Sequence, residues 1–160
     1  MDSPGTSEPV AGFRHTLLAM AELLLFHHAE GLTPGVLAAE GLPEGLVYLG
    51  FSLGVLPAQM LAQTRAGAHA AVLFHSCVPP SEFGGWPSGV PLQIHIMDRD
   101  PLASPPETDL ETARQFDAEL EEATFFSYPG DAHLFADESL PSYDADTARQ
   151  AEARVLGLLG

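Results

Sequence analysis

The sequence predicts an α/β domain built on a mostly parallel sheet flanked by helices. Continuous apolar runs without alternation recur at 22–28 (ELLLFHH), 45–51 (GLVYLGF) and 70–76 (AAVLFHS), the pattern of strands covered on both faces. Helix-like segments separate the strand-like runs from Glu22 to the end of the chain, the order expected of a parallel sheet with helical crossovers. At 160 residues, 46% hydrophobic and 18% charged, the chain suits one domain with a single core rather than disorder.

Each element has its own signal. Residues 1–19 open rich in Pro, Gly and Ser and read as a disordered extension, so the domain is expected over 20–160. The link over 29–45 is close to the minimum for a crossover, and a short helix over 34–41 (PGVLAAEG) would manage it. After the second strand, 54–67 reads as a helix with Leu56, Met60 and Leu61 on one side, ending at Gly67. PLQIHIMD (91–98) is the fourth strand and ATFFSYPG (123–130) the fifth. Between them, 108–123 reads as a helix. Thr108 and Glu111 stand at capping-box spacing, and Leu110, Ala113, Phe116 and Leu120 fall at helical intervals. The last helix, 144–159, carries Ala148, Ala151, Val155, Leu158 and Leu159 on one face.

Charge narrows the function classes. Twenty-two acidic residues against six basic ones give a net charge of −16, and the six arginines are scattered. This argues against nucleic acid and against anionic membrane surfaces as partners. No run reaches the length of a membrane span. TLLAMAELLLF (16–26) contains Glu22 and lacks both a basic flank and a cleavage site, so it does not read as a signal peptide. The single cysteine, Cys77, excludes an internal disulfide and fits a reducing, cytoplasmic location.

In a parallel sheet, chemistry gathers at the carboxyl ends of the strands. The second strand runs into Gly-Phe-Ser-Leu-Gly (50–54), the fourth into Asp98 and Asp100, and the fifth into Asp131 and His133. Gly-x-Ser-x-Gly alone is weak, but Ser, Asp and His follow one another here in the order of the α/β-hydrolases. These residue types suit acyl transfer. A serine hydroxyl attacks only when an imidazole takes its proton, and a carboxylate holds that imidazole in one tautomer. The N–H of Leu53, opening the next helix, then faces the developing oxyanion. Asp98 stays an alternative to Asp100, which could instead cap the turn at Pro101.

On LLLFHHAEGLTPG, LGFSLG, MDRDP and YPGDAHLF, residues 20–160 resemble the dienelactone hydrolase family of the α/β-hydrolase superfamily. The resemblance implies Ser52 as nucleophile, Asp100 as orienting acid and His133 as base. It implies a second oxyanion donor at the Ala29 N–H, with His28 beside that loop, and no cofactor or metal. The implied substrate is a small ester or lactone, cleaved through an acyl-serine. Well-studied members carry cysteine at the position of Ser52 and a glutamate near that of His28, so this chain looks more like a serine-bearing esterase branch. The domain is truncated relative to the family. A helix, a strand and another helix expected between the GLTPG loop and the nucleophile strand are replaced by VLAAEGLPEG. Such a loss exposes a sheet edge through which homodimers could form.

Phe83 and Trp86, in SEFGGWPSG, are either an apolar wall for substrate or loop anchors, and Cys77 reads as a buried, inert thiol. Two other readings remain open. One is a catalytically impaired interaction or vestigial protein that keeps the triad without a working pocket. The other is metal binding through His27, His28, His75 and His95, disfavoured because neighbouring strand residues face opposite sides.

Overall fold

The computed structural model describes residues 23–26, 42–106 and 108–160. The extension over 1–19, the short helix over 34–41, His27, His28, Ala29 and Glu30 lie outside the described residues. Five strands form one sheet: β1 (Leu23–Phe26), β2 (Val47–Phe51), β3 (Ala70–Phe74), β4 (Leu92–Met97) and β5 (Ala123–Tyr128). All neighbours pair parallel, and their order across the sheet is their order in the sequence.

The uninterrupted apolar runs follow from this arrangement, because β2, β3 and β4 are buried along their whole length and their residues alternate between two covered faces. On one face Tyr48, Ala71, Leu73, Leu92, Ile94 and Ile96 meet helices α1 (Val55–Thr64) and α2 (Asp109–Glu119), through Val55, Ala58, Leu61, Leu110 and Phe116. On the other, Val47, Leu49, Ala70 and Val72 meet Ala151 and Val155 of α3 (Ala145–Leu159). Successive crossovers of one hand between adjacent strands place α1 and α2 on the same side. Among the described helices, α3, which follows the last strand, covers the other. No helix among the described residues is long and apolar enough to cross a membrane.

Three local expectations change. The buried side of α1 is set by Val55, Ala58, Leu61 and Ala62, whereas Leu56 and Met60 are partly exposed. The helix is apolar nearly all round, so its pattern does not single out a face. Helix α2 ends at Glu119 rather than 123, because the chain must be extended at Leu120 for β5 to pair with β4 from Ala123. Thr108 makes no side-chain cap bond, since its backbone (φ −113°, ψ 5°) departs from the extended form that aims an N-cap oxygen at the first turn. Asp144, extended at ψ 104°, caps α3 by accepting from the Thr147 N–H at 2.7 Å.

Candidate active site

The site sits at the carboxyl ends of β2, β3, β4 and β5. A ladder of stacked rings floors it. Phe51 stacks on Phe74 (4.8 Å between centroids), Phe74 on His95 (4.6 Å) and His95 on Phe126 (5.0 Å). Each is the register partner of the next across β2–β5, so pairing itself brings the rings together. Arg154 of α3 closes the row, its guanidinium 4.4 Å from the Phe126 ring centre. His95 is held neutral inside the ladder, with burial and then the Arg154 charge pushing its pKa down to about 3. Its Nδ1 lies 2.8 Å from the Tyr128 hydroxyl and its Nε2 3.1 Å from Gln93 Oε1. An amide oxygen only accepts, so Nε2 donates to Gln93 and Nδ1 accepts from Tyr128.

Directly after the first rung, Ser52 turns the chain. Its φ is +52°, a left-handed conformation costing a non-glycine residue about 1–2 kcal/mol. A short 3₁₀ turn (Ser52–Gly54) then leads into α1. The bend is tight enough that a Cβ on Gly50 would lie 2.6 Å from the Gly54 carbonyl oxygen and 2.7 Å from Val55 Cα. Glycine is required there by backbone contact.

His133 and Asp100 come from later strand ends. His133, in the loop between β5 and α3, places Nε2 2.9 Å from Ser52 Oγ and Nδ1 2.7 Å from Asp100 Oδ2. The carboxylate is acceptor-only, so Nδ1 carries the proton and the bare Nε2 accepts from the serine hydroxyl. Asp100 is fully buried, and its other oxygen accepts the Leu102 N–H at 2.9 Å. It therefore both caps its own turn and holds His133. Asp98 acts elsewhere, its Oδ1 accepting the Gly130 N–H at 2.9 Å and so tying the ends of β4 and β5 together.

The remaining expected positions fall as follows. Leu53 follows Ser52 in the 3₁₀ turn with its side chain exposed, and the first N–H groups of a helical turn have no partner within it. Trp86 takes the loop-anchor role. Its indole N–H donates to the Val90 carbonyl at 2.8 Å, and its ring meets Phe116 of α2 edge-on, on the face carrying α1 and α2. Phe83 ends a 3₁₀ turn (Pro80–Phe83) and is partly buried. Cys77 is buried, its thiol donating to the Asp109 carbonyl at 3.4 Å, and burial raises its pKa far above the usual thiol range. Ala29 and His28 lie outside the described residues.

One neighbour has no assigned part in this series. His75 follows β3 with φ +71°, its ring 5.2 Å from that of His133 and edge-on to Phe135 at 4.8 Å. It is buried, and among the described residues neither ring nitrogen has a hydrogen-bond partner. Burial, then His133 and His95, lowers its pKa well below the usual histidine value. One ligand atom each of His75, Asp100 and His133 lies within 4.8 Å of the others. The sequence marks it by its place at a strand's carboxyl end, within the disfavoured metal reading. Among the described residues, the non-glycine positions with positive φ are Ser52, His75 and Leu134, the residue after His133. Strain is thus gathered at this site.

Comparison with known proteins places this geometry. Residues 36–160 match the model of the dienelactone hydrolase family. Among solved structures, the chain is similar to a candidate dienelactone hydrolase from Klebsiella pneumoniae subsp. pneumoniae MGH 78578, with TM-score 0.55 and 23% identity over 71% of this chain and 51% of that one. It is also similar to a dienelactone hydrolase-like promiscuous phosphotriesterase from metagenomic libraries, with TM-score 0.56 and 20% identity over the same shares. These likenesses identify an α/β-hydrolase-like fold, and the chain spans about half the length of the structures it matches. Among curated proteins none matches. With the family model covering most of its length, the chain belongs to the dienelactone hydrolase family.

Proposed function

We propose that the chain is a serine hydrolase that opens an ester or lactone through an acyl-serine. The observation that carries this reading is the series Ser52–His133–Asp100, hydrogen-bonded at 2.9 and 2.7 Å, with the serine on a left-handed turn.

The chemistry follows from the atoms. Ser52 Oγ attacks the carbonyl carbon while Nε2 of His133 takes its proton. Asp100, fully buried, stabilises the imidazolium that forms and fixes its orientation. The Leu53 N–H, joined by Ala29 if the family's second donor is kept, holds the tetrahedral oxyanion. His133 then gives its proton to the leaving oxygen, and the C–O bond breaks to leave acyl-Ser52. Water, deprotonated by the same nitrogen, attacks the acyl carbon; the bond to Ser52 Oγ breaks, Oγ takes that proton back from His133, and the acid is released.

A fluorophosphonate probe tests this on the folded protein. Ser52 should be labelled in wild type and left unlabelled in Ser52→Ala. Absence of any Ser52-dependent adduct would leave the impaired, non-catalytic reading standing. Substrate assays should run carboxylic esters, lactones and phosphotriesters side by side, because one solved neighbour is named for phosphotriester cleavage.

A further inference from the structure

We propose that His75, His133 and Asp100 together bind a divalent cation of the zinc type, and that this ion switches the hydrolase off. The inhibitory half rests on the proposed relay through His133; the binding half does not.

Two independent observations support the site. The first is the donor set: two imidazoles and one carboxylate, with one ligand atom from each inside a 4.8 Å span. Zinc takes nitrogen at about 2.0–2.1 Å and carboxylate oxygen at about 2.0–2.2 Å, so tetrahedral ligand atoms stand about 3.3 Å apart. Seating an ion requires the wider-spaced ligand atoms to draw together and His133 Nδ1 and Asp100 Oδ2, 2.7 Å apart, to separate. Two nitrogens with one oxygen suit zinc, copper or nickel better than magnesium or calcium. Three protein ligands leave a fourth position for water, unlike the closed set of a purely structural zinc.

The second observation is His75 itself. Both of its ring nitrogens are buried without a partner among the described residues, a cost of about 1–3 kcal/mol for each group left unmade. A buried polar group of this kind calls for an explanation, and an ion is among the usual ones. The left-handed backbone of His75 points to a residue kept where a relaxed one would be easier to place.

Inhibition follows whichever nitrogen of His133 the ion uses. Bound at Nε2, it occupies the lone pair that would take the Ser52 proton. Bound at Nδ1, it displaces that nitrogen's proton to Nε2, which then donates and cannot act as base. Asp100, now a ligand, no longer holds the ring for catalysis.

Titration calorimetry of metal-free protein with zinc chloride tests the site, with millimolar magnesium chloride present to occupy surface carboxylates. One equivalent should bind with a Kd of about 10 μM or tighter, and His75→Phe and His75→Gln should each weaken it at least tenfold. Cobalt(II) should give visible d–d bands of low coordination number in wild type and lose them in the variants. Far-UV circular dichroism establishes that each variant is folded, and the cobalt spectrum of wild type stands if one is not. Zinc should block Ser52 labelling in wild type at the concentration that saturates binding. No stoichiometric zinc binding, or binding indifferent to His75, overturns the proposal. The two readings fail separately. Labelled Ser52 without zinc binding removes only the metal site, while His75-dependent zinc binding without labelling removes only the hydrolase.

Discussion

Ser52 carries two burdens at once, a strained backbone and a hydroxyl aimed at His133. Replacing it separates them. Ser52→Ala removes the hydroxyl and keeps the Cβ at φ +52°, so turnover should fall about ten-thousand-fold or more with the melting temperature little changed. Ser52→Gly should be equally inactive yet more stable than the alanine variant, by up to about 1 kcal/mol. At an ordinary helical position the order is reversed, so thermal unfolding of the pair reads out the strain directly. Asp100→Asn should lower turnover about a hundred- to ten-thousand-fold, because an amide can hold His133 in the wrong tautomer. Asp98→Asn, tying β4 to β5 and away from the imidazole, should cost far less activity. At this scale the sequence is most legible where chemistry restricts the residue type. Ser52, His133 and an aspartate at the end of the fourth strand can be picked out from types and strand ends alone. Choosing Asp100 over Asp98 cannot, since two residues apart on a turn means different directions in space. His75 stands in the disfavoured metal reading with three other histidines, because a histidine in an apolar run looks the same whether its nitrogens are satisfied or not.

Among elements, the turn from β2 into α1 depends on Gly50. Gly50→Ala puts a Cβ 2.6 Å from the Gly54 carbonyl oxygen, and backbone on both sides leaves little to yield. The variant should lose about 3 kcal/mol or more of stability and its Ser52 labelling together, or fail to fold. Helix caps offer a milder contrast. Asp144→Ala should cost about 1 kcal/mol, because it breaks the bond to the Thr147 N–H. Thr108→Ala should cost little, its side chain making no such bond. Chemical denaturation with an unchanged slope checks both. Strands were readable here because full burial removes alternation, whereas α1 was not, because a helix apolar all round has no preferred face in its pattern. The capping-box spacing at Thr108 and Glu111 was present in the letters. What the letters could not carry was the backbone angle that decides whether the oxygen points at the turn.

For the whole molecule, the buried histidines set the response to acid. His95 is neutral in the folded state with its pKa lowered to about 3 from 6.5, and His75 is lowered in the same direction. Between those pH values the unfolded chain binds more protons than the folded one. Stability from these groups is therefore complete above about pH 6.5 and drains away as pH falls toward 3. The melting temperature should drop steadily from about pH 7 to about pH 4. His95→Phe should start lower at neutral pH, having orphaned Tyr128 and Gln93, and decline less steeply; an equal slope would remove His95 as a cause.

The strands lie across the sheet in the order in which they occur along the chain. Because a ribosome delivers the chain in that same order, each strand finds a waiting edge as it emerges. Ser52 thus appears early, while His133, its hydrogen-bond partner, stands 81 residues later. On the proposed function, the nucleophile is paired with its base only once that later residue is in place. Capture of an active-site probe is then a certificate of assembly as well as of chemistry.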